Sequence, residues 1–483
     1  MAQHQARGAR ACRPAPGGPA IAYHFRARVS GAIPATGAAR RQAIQPFTTN
    51  PADFEDARIR PEERATPIAV RHPKAASPGL AVFLVVWIGF AFGYALIASQ
   101  GDRSFADEGF HAPQVRAFFE RSYQVEPQLT TLPTYHLVLA MLSRAAGRYD
   151  LNLVRFFSMI IGASCVLAFA ALVRREHPGG AAWTSRVLEF VFLPILFPFF
   201  FLVYTDVWSL SAVLATVWLT LSRRRALAGV AGLLAVALRQ TSIVWVGFAL
   251  LLALLDEPET RDAQGRRSAR RMLLGALRAG WPFFVVGAVF CVFVIVNRGV
   301  SLGDRTVQQA TVNPTNLYFF LTCAGWLFLP YNLSKLRDVA RLARRPVVMA
   351  CIVLGLPAFL LTYRVTHPYN VPGLDFFLRN QFLNWMVGSM VGRAVMYVPL
   401  CWMVLSICTV RWPDPRWRWL LAFVPLSILP YPLIEQRYYL PALALLLAAR
   451  EPRPAWIERA TVLLYAAVSA YFLFGIATER FFL

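Results

Sequence analysis

The chain has 483 residues, of which 57% are hydrophobic, 13% aromatic and only 16% charged, and its mean hydropathy is +0.46. That composition excludes an ordinary soluble globular protein and identifies an integral membrane protein. The formal net charge of +23 would point to nucleic acid in a soluble chain, but the arginines here fall between apolar runs, as cytoplasmic loop charges do; no nucleic-acid partner is expected.

Residues 1–77 are rich in Ala, Arg, Pro and Gly and carry no sustained apolar periodicity. Such a segment buries too little surface to offset its chain entropy, so it reads as a disordered basic N-terminal arm. It lacks the apolar core and small-residue cleavage site of a secretory signal; an Arg-rich transit peptide or a misplaced start codon are the alternatives. The remainder, 78–483, reads as one multi-pass transmembrane domain. Six cysteines (Cys165, Cys291, Cys323, Cys351, Cys401 and Cys408) lie in apolar runs without metal-ligand spacing, and Cys12 lies in the arm. They read as small side chains, the six in the runs buried.

Apolar runs follow in order near 81–99, 153–173, 188–203, 207–221, 226–238, 242–255, 273–296, 315–333, 346–364, 387–410, 418–433, 438–449 and 458–477. They predict an all-α polytopic bundle of about thirteen membrane helices. The runs 226–238 and 438–449 are short for a full crossing. With the N-terminus cytoplasmic, the alternate loops carry the arginine clusters, among them Arg174 and Arg175, Arg223 to Arg225, Arg344 and Arg345, and Arg450 and Arg453. The opposite loops hold mixed polar sequence: "ADEGFHAPQ" with "LTTLPTYH", "YTDVWS", "LRQTS", "GDRT", "THPYN" and "IEQRYYLP". A one-helix error in the middle would scatter these segments, so the count and a shared polar face support each other.

The first external loop, 100–150, sets Asp107 beside Glu108. Carboxylates near a bilayer either neutralise or find a cation or a reacting proton, and Arg239, Arg305, Arg379 and Arg437 on the same face are the available cations; a solvated loop pair is the plain alternative. His111, four residues after Asp107, shares its helix face. One His and two acids make a poor metal set, so no cofactor or metal is assigned, a divalent ion remaining the alternative. "LTTLPTYHLVLAMLSRAAG" predicts a short helix beginning after Thr131, with Pro133 in its first turn and Gly147 at its end. Too short to cross, it is expected in the interface plane with Leu137, Met141 and Leu142 toward lipid. Asp206 is a site residue or the cap of the helix it opens, and Arg239 a ligand or a snorkelling helix end. Asp304 with Arg305 is a site pair or a loop salt bridge. Glu435 and Arg437, held between two apolar runs, read as a buried ion pair, a phosphate clamp or both.

In order and spacing, "DEGFHAPQ", "LTTLPTYH", "FLVYTDVWS", "LRQTSIVWV", "GDRT" and "IEQRYYLP" resemble the dolichyl-phosphate-glucose-dependent α-1,2-glucosyltransferases, from about residue 80 onward. The motifs DExFHxxQ, YTD and RQT are specific as a series and weak singly. The resemblance implies a membrane glycosyltransferase of the C superfamily, with a multi-helix bundle and a lumenal or periplasmic site fed by a polyprenyl-phosphate sugar. The chain departs from the family at "GDRTVQQ", where Gln308 stands near an expected His, and at "NVPGLDFFLRN", which replaces an Asp-Asn-Arg-His-Tyr run. The departures bear on the acceptor more than on the reaction, and with the Ala- and Arg-rich composition they suggest a bacterial relative.

A sugar leaving from a lipid phosphate needs cations at the departing oxygens and a base for the attacking hydroxyl. Arg239 and Arg437, with Arg305 beside them, suit the first task because a guanidinium fork takes two phosphate oxygens. Asp107 is the expected base and Glu108 its partner, orienting the acceptor or raising the Asp107 pKa by like charge. His111, Gln114, Tyr135, Tyr204, Asp206, Gln240, Asp304, Glu435 and Tyr438 are the expected substrate contacts, with interfacial anchoring the alternative for the tyrosines. The implied partners are a polyprenyl-phosphate sugar, most simply glucose, a lipid-linked glycan or other hydroxyl acceptor, and membrane lipid. The setting is a bacterial inner membrane with a periplasmic site, or an endoplasmic reticulum membrane with a lumenal one. A mannose- or pentose-dependent transferase is the near alternative. A multi-pass transporter is the distant one, disfavoured by the lack of repeated halves.

Overall fold

The computed structural model describes residues 78–178, 181–257, 269–303, 309, 311–370 and 381–483. The N-terminal arm, Asp304, Arg305, Gln308 and Arg379 lie outside the described residues. Among those described the chain is helical throughout, with no strand. The order begins with α1 (Pro78–Ala98), α2 (Glu108–Phe119), α3 (Thr134–Ala145), α4 (Leu151–Glu176) and α5 (Ala181–Val191). It continues with α6 (Thr205–Leu221), α7 (Arg225–Leu238), α8 (Ile243–Leu255), α9 (Ala269–Asn297), α10 (Pro314–Leu327), α11 (Leu329–Ser334) and α12 (Leu336–Ala343). The C-terminal part holds α13 (Pro346–Thr362), α14 (Gln381–Gly388), α15 (Met390–Cys408), α16 (Leu420–Ile428), α17 (Leu440–Ala449) and α18 (Ala455–Ala477).

Five of the described helices, α1, α4, α9, α15 and α18, are long and apolar enough to cross a membrane; α12 and α13, joined at an 88° bend, would make a sixth span if taken together. The chain is an integral membrane protein. Outward-facing Ile88, Ile295, Val296 and Leu354 leave large apolar side chains open to lipid. Asp150 starts α4 by accepting the Leu153 N–H at 2.8 Å, and Ser389 starts α15 by accepting from Gly392 N at 3.0 Å, so each caps an orphan donor of a helix entering apolar surroundings.

Several apolar runs are not single helices, and proline is the reason. Run 188–203 is α5, a loop through Pro194, and a 3-10 turn Phe197–Phe201 that begins one residue before Pro198. Run 315–333 divides at Phe328 into α10 and α11, with Pro330 in the first turn of the latter. Run 418–433 retains only the nine residues of α16, with Pro425 inside and Pro430 just beyond its end. Each proline removes a backbone donor and limits the turn before it. Periodicity counts such a run as one crossing although the backbone is broken.

The bundle is built around α6, which packs on α4, α7, α8 and α17. Its core is aromatic: Phe199, Phe200 and Phe201 are all buried, and Phe200 lies 4.8 Å from the ring of Phe90 on α1. Gly93 of α1 is required there, because a Cβ would fall 2.3 Å from the Phe201 ring. The expected short helix after the first span is α3, with Pro133 at its start, Gly147 in the left-handed region at its end, and Leu137 and Met141 exposed. It packs on α2. Together they form a two-helix cap over the end of the bundle where the DE, YTD and RQT segments meet.

Candidate active site

Four chain reversals carry the charged groups. Asp107 is the N-cap residue of α2, Asp206 lies in the first turn of α6, Arg239 closes α7, and Glu435 and Arg437 flank the start of a 3-10 turn, Gln436–Tyr439, that leads into α17. At each reversal the backbone leaves helical geometry, so the side chain is aimed by a turn held between packed helices.

Asp107 and Glu108 are adjacent in sequence and separate in role. Glu108 is fully buried and pairs with Arg155 of α4, Nε to Oε1 at 3.0 Å and Nη2 to Oε2 at 2.7 Å. Its oxygens also accept the N–H groups of Phe105 at 3.0 Å and Val203 at 2.9 Å. Arg155 in turn donates to the carbonyls of Gly101 at 3.1 Å and Arg103 at 2.5 Å. The pair thus ties loop 101–108 to α4 and to the residue before the YTD segment. Asp107 points the other way. Its side chain is 31% exposed and is paired with Arg437, while its N–H donates to Tyr204 Oη at 2.8 Å. Tyr204 Oη donates to the Phe105 carbonyl at 3.2 Å. Ala106, immediately before, is held at φ +46°.

Arg437 is the hub. It pairs with Asp107 and with Glu435, and its Nη1 lies 3.8 Å from Asp206 Oδ2. Arg239 pairs with the other Asp206 oxygen, so Asp206 bridges the two guanidiniums and does not act as a helix cap. Both cations are stacked: Arg437 lies 5.1 Å from the Tyr204 ring centre and Arg239 4.8 Å from that of Tyr438. Tyr438 stacks on Tyr431 at 4.1 Å. Burial raises the Glu435 pKa against the pull of Arg437, with Asp107 adding to the rise. Burial alone would lower Arg437, yet the carboxylates of Asp107 and Glu435 hold it firmly charged. A cation that keeps its charge inside protein is what an anionic leaving group requires.

The expected contacts divide into those at the charged cluster and those that build its walls. His111 lies against Tyr204, ring centres 5.5 Å apart, and shares a 2.8 Å contact between its Nδ1 and Nε2 of His136. Burial, then the charges of Arg437 and Arg239, lower the His111 pKa to about 3, so its ring is neutral. Gln114 binds the backbone of Gln124 and Glu126, Gln240 donates to the Thr130 carbonyl at 3.3 Å, and buried Tyr135 meets Ser158 Oγ at 2.7 Å. These three hold loop 120–135 and α3 in place and do not reach the charged cluster in this state. Among the described residues no group of three or more His, Cys, Asp or Glu side chains could hold a metal ion.

Beside the cluster lies a half-open cavity lined by Asp206, Ser209, Leu210, Arg239, Thr241, Ser242, Trp245, Ser427, Tyr431, Arg437, Tyr438, Leu440 and Pro441. Sequence reasoning missed its Ser209, Ser242, Trp245 and Tyr431, which read as ordinary helix and interface residues. It also missed Arg155, although a lone arginine inside an apolar run is a signal in itself.

Comparison with known proteins bears on this geometry. A human protein named Dol-P-Glc:Glc(2)Man(9)GlcNAc(2)-PP-Dol alpha-1,2-glucosyltransferase is 25% identical over 312 residues, 55% of this chain and 66% of that protein. The aligned region therefore spans just under two thirds of the human relative. A Debaryomyces hansenii protein of the same name is 22% identical over 403 residues, 75% of this chain and 85% of its own. The crystal structure of ArnT from Cupriavidus metallidurans bound to undecaprenyl phosphate superposes with a TM-score of 0.35 at 15% identity, over 84% of this chain and 72% of that one; a likeness of that size carries no argument. The model of the DIE2/ALG10 family matches residues 102–447, a range that takes in the acidic pair, Tyr204 to Asp206, Arg239 and Arg437, and the chain belongs to that family.

Proposed function

We propose that the chain is a membrane glycosyltransferase of the C-superfamily type, moving a hexose, glucose, from a polyprenyl-phosphate sugar to a hydroxyl of a lipid-linked glycan or other acceptor. The observation that carries this reading is the Asp107–Arg437–Asp206–Arg239 chain of ion pairs at the wall of a polar cavity. It unites a solvent-reachable carboxylate with two guanidiniums held ready for an anion. Family membership and the names of the relatives point the same way. The thirteen apolar runs would be its crossings, with the broken ones completed by turns buried in the bundle, and the catalytic domain would run from residue 78 to residue 483. The site would face the periplasm or the endoplasmic reticulum lumen.

In this mechanism the acceptor hydroxyl approaches beside Asp107. The acceptor oxygen forms a bond to the anomeric carbon while the bond from that carbon to the phosphate oxygen breaks. Asp107 takes the hydroxyl proton, and the electron pair of the broken bond leaves with the polyprenyl phosphate. One displacement inverts the anomeric centre. Arg437 and Arg239 stabilise the departing phosphate, worth most at a site from which water is excluded. Glu108 is a positioning residue here, held by Arg155 so that the preceding carboxylate faces the hub.

The test incubates purified protein in lipid with polyprenyl-phosphate glucose, mannose and a pentose analogue and a panel of acceptors, wild type against Asp107→Asn. Transfer from the glucose donor, lost in Asp107→Asn with the fold retained, is expected. Equal rates in the two proteins would remove Asp107 as the base. A preference for another sugar would change the donor, and solute movement across vesicles without sugar transfer would end the enzyme reading. A parallel incubation with chelator reads whether a divalent ion shares the task of the arginines.

A further inference from the structure

The cavity that Arg239 and Arg437 help to line also carries groups that an anion alone would not use. Ser209, Ser242 and Trp245 are each 4% exposed, yet they line open space together with Asp206, Tyr431 and Tyr438. Ser209 and Ser242 meet at 3.0 Å, and two hydroxyls sharing one hydrogen bond keep one O–H and several lone pairs for a third partner. The pair is satisfied as it stands, and the O–H and lone pairs it keeps are open to a polar ligand entering the cavity. A phosphate would meet Arg239 and Arg437 but would leave the Asp206 carboxylate and the aromatic faces without a complementary group. A polyol suits it, because its hydroxyls donate to Asp206 and accept from serine while its C–H faces pack on aromatic rings. The stacked Tyr431 and Tyr438, 4.1 Å apart and backed by Arg239 at 4.8 Å, form a stiff platform of that kind.

We infer that this cavity is the sugar subsite of the donor: the hexosyl ring sits among Asp206, Ser209, Ser242, Trp245, Tyr431 and Tyr438, while its phosphate meets Arg239 and Arg437 at the edge. The inference rests on the donor reading proposed above and adds which residues select the sugar. Asp206 then has two tasks, bridging the guanidiniums and accepting from sugar hydroxyls. The residues of the cavity come from α6, the RQT turn with α8, and the segment before α17, so sugar recognition depends on the packing of three parts of the bundle.

Equilibrium binding of radiolabelled polyprenyl phosphate and of polyprenyl-phosphate glucose to the full chain in detergent tests this. Wild type is expected to hold the sugar-bearing lipid roughly tenfold more tightly, the value of one or two buried hydrogen bonds. Ser242→Ala and Trp245→Phe should each cut that ratio to under roughly threefold and leave affinity for the bare lipid unchanged. Bare-lipid affinity also reports folding, and Ser242→Ala, which removes a single hydroxyl, decides the matter where Trp245→Phe does not fold. Equal affinity for the two lipids in wild type, or a ratio untouched by Ser242→Ala, overturns the subsite and leaves the donor reading standing. If neither lipid binds, the donor reading fails and the subsite with it.

Discussion

Glu108 and Arg155, 47 residues apart in sequence, form a fully buried two-point ion pair, with Nη2 to Oε2 at 2.7 Å. The polar atoms around it belong to the backbone of the loop that carries Asp107, to the chain just before Tyr204, and to the Asn152 side chain, whose Oδ1 accepts from Arg155 at 3.0 Å. Removing one partner of such a pair leaves an uncompensated buried charge, a cost of about 3–5 kcal/mol. Arg155→Ala is therefore expected to lower the thermal unfolding midpoint sharply, and Glu108→Gln to do so less, since the amide oxygen still accepts from one of the Phe105 and Val203 N–H groups. Activity per folded molecule should fall in Glu108→Gln through a misplaced Asp107. A Glu108→Gln protein with wild-type unfolding and no transfer would instead make Glu108 a participant in the chemistry.

The two arginines should not tolerate lysine. Lysine offers a point charge where a planar fork spans two oxygens and stacks on a ring, and both arginines are stacked here, on Tyr438 and Tyr204. Arg437→Lys loses contacts to three carboxylates and Arg239→Lys to one. Loss of stabilisation at a developing anion costs roughly 10²–10³ in rate. That scale is expected for Arg437→Lys and a smaller loss for Arg239→Lys, read as kcat and KM for the sugar donor. A substitution that leaves kcat/KM unchanged removes that arginine from the leaving-group site.

Much of the site was legible because its charged residues are expensive in an apolar chain. Asp107, Asp206, Arg239, Glu435 and Arg437 stood out as polar residues at the ends of apolar runs, and loop charge placed them on one face. The division of labour between Asp107 and Glu108 was not legible, because it depends on Arg155, a residue 47 positions from Glu108 in a different helix, whose side-chain direction only packing fixes. Trp245, Ser209 and Ser242 were invisible for a different reason. In a membrane protein a Trp near a helix end and a Ser within a helix are ordinary, and only their convergence on one cavity gives them a role. The apolar runs located the helical segments well, yet prolines at 194, 198, 330 and 430 made three of them discontinuous, a feature hydropathy does not register.

Ala106 is held at φ +46°, a left-handed conformation costing an L-residue about 1–2 kcal/mol. The Tyr204 and Glu108 contacts on both sides enforce it. Glycine adopts this geometry freely but loses more entropy on folding. Ala106→Gly is expected to fold with a stability within about 1 kcal/mol of wild type, on the stabilised side, and to keep transfer activity. Ala106→Val, with a branched Cβ at positive φ, should lose stability and transfer together, because relaxing the turn rotates Asp107 away from Arg437. Unfolding midpoints and initial rates of the two variants, taken side by side, check the role of the turn; an active, stable Ala106→Val protein would show that the turn is not needed.

The neutral imidazole pair sets a pH limit on the fold. His111 and His136 meet at 2.8 Å in a buried place, and both pKa values are lowered, His111 from 6.5 to about 3, by burial first and by neighbouring groups second. In the unfolded chain a histidine takes up its proton as pH falls through about 6.5, whereas folded His111 stays neutral down to about 3. The unfolded state then binds more protons across that window, so stability is full above the unfolded value and declines as pH falls below it. For His111 the loss is about 2 kcal/mol by about pH 5. His111→Gln, which keeps a polar group beside His136, should remove that share of the decline while costing stability at neutral pH. Unfolding midpoints of wild type and His111→Gln between about pH 7.5 and 5 are expected to converge as the solution is acidified. Parallel profiles would mean that His111 takes its proton at an ordinary pKa in the folded protein.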